Sequence, residues 1–247
     1  MKVLVIGDSC KDVFVYGSCE RMAPAAPVPV FIPQHLKDNK GMAGNVYQNF
    51  RSLDVDCDLI TNITEITKTR YIDQTTNHMI IRVDSGEEKI ERVTNLDKIE
   101  YSDYDAVVVS DYNKGFLTEQ DIQFISESHD MVFMDTKKLL GDWAKNISFI
   151  KINLEEYNKT KHLLTDKDWF EKKLIVTLGS NGCLYNEKHF PVEKVEIKDL
   201  TGAGDSFLTG FVYKLLKTND INLSLTFANE CATKVVQQKG VNTINDI

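Results

Sequence analysis

The amino-acid sequence predicts an α/β protein with a mostly parallel central sheet, helices on both faces of that sheet, and a small separate β-sheet. From residue 104 onward, short apolar strands alternate with amphipathic helical segments, which is typical of a parallel sheet. Before that point, two β-rich stretches contain prolines and a third resembles a hairpin. These stretches do not fit the alternation, so they are assigned to the small sheet.

In the first 90 residues, the predicted elements rest on apolar runs and turn residues. Residues 2–6 are a continuous apolar run that ends at Gly7-Asp8, as expected for a buried strand. Residues 13–16 and 27–33 are β-rich, but prolines at 24, 27, 29 and 33 confine them to edge or isolated strands. A helix is expected over 41–53, a strand over 57–61, and a hairpin over 69–84 with its turn at 74–77.

The remaining elements follow the strand–helix alternation. Strands are expected over residues 106–110, 131–135, 149–152 and 174–178, and helices over 119–126, 154–163, 203–216 and 221–238. In a parallel sheet, ligands bind beyond the carboxyl ends of the strands. Polar residues at those ends are therefore the first candidates for a functional site.

Polar side chains follow five of the predicted strands. In chain order they are Asp8 and Asp12, then Ser110, Asp111 and Lys114, then Asp135 and Lys137, then Asn153 and Glu156, and finally Thr177 with Gly179, Ser180 and Gly182. Strand ends are often polar for structural reasons alone. Five such sets along one rim nevertheless predict a shared site.

The run Asp199-Leu-Thr-Gly-Ala-Gly-Asp-Ser-Phe207 precedes an amphipathic helix. Gly202 and Gly204 let the backbone bend so that successive N–H groups converge, and the helix end adds positive potential. This pattern predicts an anion-binding loop, although a glycine pair can also simply begin a helix. Asp205 is expected there as an ionised carboxylate and a weak base.

Asn153 and Glu156 lie three residues apart at the start of a predicted helix, so they share one face. Such a pair can hold a hydrated Mg²⁺ that in turn contacts phosphate oxygens. The alternative is a helix cap with a solvated glutamate, and the sequence leaves both open.

Composition and missing motifs exclude several classes of protein. The net charge is −8 without a basic run, which argues against nucleic acid or an anionic membrane as partner. No signal peptide or membrane-length apolar run is expected, and five scattered cysteines indicate reduced thiols, so we expect a cytoplasmic protein. The G-x-G-x-x-G turn, the P-loop motif and the G-x-S-x-G elbow are all missing from the sequence.

Taken together, the motifs resemble the ribokinase/PfkB carbohydrate-kinase family, and most closely its heptose-phosphate kinase branch. The run from Asp199 to Asp205 is similar to the family signature D-T-x-G-A-G-D, and Asn153-Leu-Glu-Glu156 fits its N-x-x-E. Four further stretches resemble the branch: Arg21-Met-Ala-Pro-Ala-Ala-Pro-Val-Pro-Val30, Gly41-Met-Ala-Gly-Asn45, Ser110-Asp-Tyr-Asn-Lys-Gly115 and Asp135-Thr-Lys137. The resemblance covers nearly the whole chain.

The resemblance implies a single ribokinase-like three-layer domain over residues 1–247 without a second catalytic domain, with a β-lid from 12–35 and 67–93. It implies ATP and Mg²⁺ as cofactors and a sugar or sugar phosphate as substrate. Asp205 would be the catalytic base, and the amides of Gly202, Ala203 and Gly204 the anion hole. The remaining implied roles are metal and phosphate binding for Asn153 and Glu156; nucleotide binding for Thr177, Gly179, Ser180, Gly182, Thr201, Ala228 and Asn229; and acceptor binding for Asp8, Asp12, Gly41 and Asn45. Lys114 and Lys137 are candidates for a phosphate on the sugar, with surface or cap roles as alternatives.

Three departures from the family pattern bear on function. Met42 replaces the second glycine of G-G-A-A-N, where the sugar approaches the backbone. A strand–helix unit that the family usually has after Thr61 is missing, which predicts a trimmed sheet edge. The adenylyltransferase half of the bifunctional relatives is also missing, so only a kinase step is expected. The competing interpretation is a kinase-fold binding module with little turnover, and a homodimer through the β-lid is a further expectation.

Overall fold

Two β-sheets and five α-helices make up the computed structural model, which describes residues 1–164, 168–238, 240 and 242–244. In chain order the elements are β1 (Lys2–Gly7), β2 (Ser9–Met22), β3 (Pro29–Met42), α1 (Ala43–Ser52), β4 (Asp56–Thr61), β5 (Ile66–Asp73), β6 (Met79–Ser85), β7 (Ala106–Asp111), α2 (Glu119–Ser128), β8 (Val132–Thr136), β9 (Phe149–Asn153), α3 (Leu154–Thr160), β10 (Leu174–Thr177), β11 (Cys183–Tyr185), β12 (Lys188–Phe190), α4 (Ala203–Thr218) and α5 (Ile221–Val235).

The central sheet has eight strands in the order β12-β11-β10-β9-β8-β7-β1-β4. The strands from β10 to β4 are all parallel, and β11 and β12 extend the sheet as an antiparallel hairpin. Alternate residues of each strand face opposite sides. Val3 and Val5 therefore pack with α1, α4 and α5 on one face, whereas Leu4 and Ile6 pack with α2 on the other. The predicted three-layer α/β architecture is confirmed.

The small sheet has four strands in the order β3-β2-β5-β6. The edge strand β3 carries Pro29 and Pro33, as expected for prolines that cannot donate to a ladder. The edge prediction for residues 13–16 is wrong, because they lie in β2, which pairs with both β3 and β5. The four prolines all follow β2, which ends at Met22, and none interrupts it. The predicted hairpin is formed by β5 and β6.

The central sheet ends at β4, with no further strand beyond it among the described residues. Residues 62–65 lead directly from β4 into β5 of the small sheet, and β4 is the edge strand. This is the place where a strand–helix unit was expected to be missing. No helix in the described ranges has both the length and the apolar content needed to cross a bilayer.

Candidate active site

The N-terminus of α4 is the centre of the candidate site. Gly202 precedes the helix with a left-handed backbone (φ 83°, ψ −4°), and no side chain caps the first turn. The N–H groups of that turn can therefore bind an anion, and the helix dipole favours one. A Cβ on Gly204 would lie 2.8 Å from Nζ of Lys151. Glycine at this position thus lets the ammonium group reach the helix end.

Asp205 lies in the first turn of α4 and is only 4% exposed. Its Oδ2 accepts a hydrogen bond from Nδ2 of Asn45 (2.8 Å), and its Oδ1 accepts one from the hydroxyl of Tyr112 (2.8 Å). Burial raises the pKa of Asp205 to about 6, outweighing the two hydrogen bonds that lower it. The carboxylate is thus mostly ionised at pH 7, as expected, but is a stronger base than an exposed aspartate.

Tyr112 reaches Asp205 from the loop after β7. Asp8 is fully buried and orders this loop, because its carboxylate accepts hydrogen bonds from the backbone N–H groups of Tyr112 (2.7 Å) and Phe116 (3.4 Å). Burial, followed by the charge of Asp205, raises the pKa of Tyr112 well above its usual value, so the hydroxyl stays protonated. Tyr112 was not singled out from the sequence, although the quoted run 110–115 contains it.

A buried ion pair lies beside the first turn of α4. Nζ of Lys151 is 2.5 Å from Oδ2 of Asp135, and both side chains are nearly inaccessible. The other carboxylate oxygen of Asp135 is buried without a hydrogen-bond partner in the described part of the chain. Lys151 was not predicted as a site residue from the sequence. The available signal was a charged residue inside the otherwise apolar strand β9.

The carboxylate of Asp135 fits a hydrated magnesium ion that is held mainly by nucleotide phosphates. Mg²⁺ keeps several waters and takes one or two carboxylates from the protein. The unpartnered oxygen of Asp135 offers such a contact. Across residues 1–164, 168–238, 240 and 242–244, no group of three or more His, Cys, Asp or Glu side chains could hold a metal. The chain therefore offers a contact for an ion that arrives with a nucleotide, and not a closed cage.

Asn153 and Glu156 form a reciprocal cap at the start of α3. Oδ1 of Asn153 accepts from the N–H of Glu156 (2.9 Å), and Oε2 of Glu156 accepts from the N–H of Asn153 (2.8 Å). Oε1 of Glu156 also accepts from Nζ of Lys137. The arrangement is the helix cap that the sequence left open as an alternative, with a lysine partner in addition. Binding of a metal by this pair stays a prediction.

A cleft of about 380 Å³ opens between α4, α5 and the loop after β12. Its lining includes Thr177, Gly179, Ser180, Ala203, Gly204 and Asn229 from the predicted site. Much of the remaining wall is apolar and includes Ile197 and Leu200, which are both exposed. A cleft of this size, with an apolar wall and few polar groups, is typical of a small-molecule site. Through Gly204 it adjoins the N-terminus of α4.

Three residues predicted to contact a nucleotide do not line this cleft. Gly182 has φ 85° in the turn before β11, where a Cβ would lie 2.0 Å from the carbonyl oxygen of Phe190. The hydroxyl of Thr201 donates to Asp199 (2.7 Å). Ala228 is fully buried in the core. Their contacts are thus with the protein itself, and their role in binding a nucleotide stays a prediction.

One face of the small sheet covers Tyr112. Strand pairing places Asp12 of β2 opposite Lys68 of β5, and Nζ of Lys68 lies 5.8 Å from the centre of the Tyr112 ring. Asp12 is buried and forms an ion pair with Arg70 (2.5 Å). A Cβ on Gly41 would lie 2.1 Å from Oδ2 of Asp12, so glycine lets this carboxylate lie against the backbone. Of the predicted acceptor-binding residues, Asp12 and Gly41 thus lie in contact, whereas Asn45 contacts Asp205.

Met42 lies at the junction of β3 and α1 with φ 58° and ψ −134°. Non-glycine residues avoid this region of backbone conformation. Its side chain is buried with Cys10 and Ile66, and this apolar cluster packs against Tyr112. The bulky residue that departs from the family pattern therefore fills space beside the Tyr112–Asp205 pair.

Comparison with known families identifies the class of protein that this fold and site define. Residues 41–247 match the pfkB family of carbohydrate kinases. The match covers most of the chain, and the chain therefore belongs to the pfkB carbohydrate-kinase family.

Curated relatives include two proteins named bifunctional protein HldE. The one from a Nitratiruptor species is 30% identical over 293 residues, which cover 98% of this chain and 63% of the relative. The one from Helicobacter pylori (strain Shi470) is 28% identical over 298 residues, covering 97% of this chain and 63% of the relative. The chain thus spans about 63% of the length of these relatives. Both alignments are longer than its 247 residues, so the relatives contain segments that it lacks.

Solved structures confirm the ribokinase-like fold. The ribokinase from Thermotoga maritima superposes with a TM-score of 0.70 at 15% identity, covering 97% of this chain and 94% of that one. The ribokinase from Arabidopsis thaliana, solved with ribose and ATP, has a TM-score of 0.71 at 14% identity, covering 99% and 95%.

Proposed function

We propose that the protein transfers the γ-phosphoryl group of ATP to a hydroxyl of a sugar or sugar phosphate, with a heptose phosphate as the preferred acceptor. The position of Asp205 carries this proposal. Its carboxylate lies in the first turn of α4, directly after Gly204, which lines the 380 Å³ cleft. A proton acceptor and an anion-binding helix end are therefore adjacent, as phosphoryl transfer requires.

In the proposed step, Asp205 accepts the proton of the acceptor hydroxyl. The hydroxyl oxygen bonds to the γ-phosphorus as the bond from that phosphorus to the β,γ-bridging oxygen breaks, which releases ADP. The amides of Gly202, Ala203 and Gly204 bind the negative charge of the transferring group. Asp135, together with Asn153 and Glu156 as predicted from the sequence, would hold a magnesium ion that arrives with ATP, and this ion would neutralise phosphate charge.

Tyr112 holds the position that an acceptor hydroxyl would take. Its hydroxyl lies 2.8 Å from Oδ1 of Asp205, the separation that a general base needs from the group it deprotonates. Because Asp205 is only 4% exposed, an acceptor must displace Tyr112 to reach it. We propose that the small sheet is a lid that moves with this displacement and excludes water when it closes.

The heptose assignment is supported by the segment that follows β2. Residues 21–30 resemble the heptose-phosphate kinase branch, and they form the end of the small sheet, where Arg21 pairs with Val30. The curated relatives named HldE agree with this branch. Because the chain spans about 63% of those relatives, the proposal is confined to the kinase step.

We also propose that the protein acts in the cytoplasm and that it forms a homodimer. All five cysteines are free, as expected in the reducing cytoplasm where ATP is available. We propose that two copies pair through the outer face of the small sheet. Strand pairing aligns Leu36, Val15, Tyr71 and Ile81 in one row on that face. Leu36 is 58% and Ile81 54% exposed. A row of exposed apolar side chains favours a contact with a second copy that removes them from water.

An ADP-release assay with a panel of sugars and sugar phosphates tests the function. We expect the parent to release ADP with a heptose phosphate, and Asp205→Asn to lower kcat by about 10²- to 10⁴-fold, the contribution of a general base. The affinity for ATP should change little, because Asp205 is not part of the nucleotide cleft.

Asp220→Asn is the matched control, because this aspartate caps α5 and asparagine caps equally well. Activity of Asp205→Asn within tenfold of the parent would remove Asp205 from the role of base. Binding of ATP and sugar without ADP release from any substrate would instead identify a binding module.

A further inference from the structure

Lys68 is a buried cation without an ion-pair partner. It lies on β5 and is 9% exposed. Among the described residues, Lys68 Nζ makes no salt bridge and no hydrogen bond, and the ring of Tyr112 at 5.8 Å is its assigned contact. The carboxylates of Asp12 and Asp84 lie on neighbouring strands, but each is paired with an arginine and neither forms an ion pair with Lys68. A buried ammonium group that forms no ion pair is stabilised when a ligand supplies a direct partner.

The other cations around Lys68 are neutralised by carboxylates. Each forms one ion pair: Arg70 with Asp12, Arg82 with Asp84, Lys114 with Glu87, and Lys137 with Glu156. Lys114 and Lys137 are the residues that the sequence offered for binding a phosphate on the sugar. The structure pairs both of them within the protein and leaves Lys68 unpaired.

The register of the small sheet directs Lys68 toward the candidate active site. Lys68 pairs across the strands with Asp12 on one side and Asp84 on the other, so the three side chains share one face. Asp84 is occupied by two hydrogen bonds from Arg82 (2.7 and 2.5 Å). The same face carries Cys10, which packs with Met42 beside Tyr112.

In the proposed reaction the γ-phosphate of ATP binds at the N-terminus of α4 and not at the small sheet. Lys151 lies at the N-terminus of α4, 2.8 Å from the position of a Cβ on Gly204. Lys68 instead lies on the sheet that covers Tyr112, on the side of the acceptor. A negative charge that reaches Lys68 would therefore belong to the acceptor.

We propose that Lys68 binds a phosphate group already carried by the acceptor, which makes the substrate class a sugar phosphate and not a free sugar. The proposal rests on the proposed function, because it places the acceptor against Asp205, where it displaces the hydroxyl of Tyr112. A charge-assisted hydrogen bond of this kind contributes about 1.5–3 kcal/mol, which corresponds to roughly a 10- to 100-fold change in affinity.

The kinetic test compares D-glycero-D-manno-heptose 7-phosphate with the same heptose lacking its phosphate. We expect Lys68→Met to raise KM for the phosphorylated sugar about 10- to 100-fold, with kcat and the KM for ATP nearly unchanged. Any activity on the free heptose should be the same in the variant and the parent. Lys68→Arg should retain most of the affinity, because it keeps the charge.

Lys11→Met is the matched control. Lys11 neighbours Asp12 on β2 but lies on the opposite face of the sheet, exposed and paired with Asp38. Equal losses with the phosphorylated and free heptose, or a rise in the KM for ATP alone, would overturn the assignment of Lys68.

A binding titration without ATP separates this proposal from the proposed function. Calorimetry should show that the parent binds heptose 7-phosphate, that Lys68→Met loses about 10- to 100-fold in affinity, and that Lys11→Met does not. This result would support the site even if the parent showed no turnover. Equal affinity of Lys68→Met and the parent would overturn the proposal. Melting temperatures check folding, and we expect Lys68→Met to melt no lower than the parent, because it removes an unpaired buried charge.

Discussion

Two opposing effects set the protonation of the Asp205 carboxylate. Burial raises its pKa to about 6, whereas the hydrogen bonds from Asn45 and Tyr112 lower that pKa by stabilising the ionised form. Burial is the larger effect. The result is a base with a pKa close to neutral, which is the useful range for accepting a proton at physiological pH.

Tyr112→Phe should move the acid limb of the pH–activity profile to higher pH. The variant lacks one of the two hydrogen bonds that lower the pKa of Asp205, so this pKa rises above about 6. Because the base must be ionised to accept a proton, kcat/KM falls as pH drops through the pKa, and it falls earlier in the variant. We expect a shift of about one pH unit, measured from pH 5 to 9.

Tyr101→Phe is the control for this shift, because Tyr101 is also buried and its hydroxyl has no hydrogen-bond partner among the described residues. Its profile should match that of the parent. An acid limb at the same or lower pH in Tyr112→Phe would contradict the role of Asp205.

At the level of elements, the junction between β3 and α1 sets the position of Asn45, which lies in the first turn of α1 and donates to Asp205. α1 begins directly after Met42, and no side chain caps its first turn. The strained backbone at Met42 is therefore held by its surroundings, in particular by the packing of its side chain with Cys10 and Ile66. Met42 therefore has both the strained backbone and a side chain in the apolar cluster that packs against Tyr112.

Comparing Met42→Gly with Met42→Ala isolates the backbone strain. Both variants lose the buried side chain and should be less stable than the parent. Glycine adopts φ 58° and ψ −134° without strain, so we expect Met42→Gly to be more stable than Met42→Ala by about 1 kcal/mol or more, measured by urea unfolding.

Val46→Gly and Val46→Ala are the matched pair, because Val46 is fully buried in the interior of α1. At position 46 we expect the alanine variant to be more stable than the glycine variant by about 1 kcal/mol, as in any helix interior. If alanine were also the more stable residue at position 42, the strain assigned to Met42 would be absent.

At the level of the whole molecule, the small sheet has two faces with different chemistry. One face carries Asp12, Lys68 and the ion pairs that surround the site, and the other carries the exposed row of Leu36, Val15, Tyr71 and Ile81. The first face serves the proposed acceptor and the second the proposed dimer. A sheet that contributes to both can couple assembly to the shape of the site.

The double variant Leu36→Asp, Ile81→Asp should convert a dimer into a monomer, because two charges would be buried in an apolar interface. Light scattering after size exclusion should give twice the chain mass of 28.1 kDa for the parent and 28.1 kDa for the variant. Leu223→Asp is the control, since Leu223 is 52% exposed on α5, outside the small sheet. A parent that is monomeric at micromolar concentration would refute the dimer.

The sequence predicted most elements because their patterns are local. The apolar strands of the central sheet, the hairpin of β5 and β6, and α4 after the glycine-rich run were all visible in periodicity and turn residues. The three-residue strands β11 and β12 were missed, because they are too short to show a period. The edge prediction for residues 13–16 failed because prolines mark the strand that contains them, not the strand beside it.

The sequence by itself determined the α/β architecture, the family resemblance and the position of the glycine-rich run that begins α4, since each depends on residues close together in the chain. Only the tertiary structure decided which charges are paired. Asp205 meets Asn45 and Tyr112 across 160 and 93 residues of sequence, and Lys68 is left unpaired while Lys114 and Lys137 find carboxylates. The reason is that burial and Coulomb attraction depend on distances in space, which arise only when the two sheets pack together.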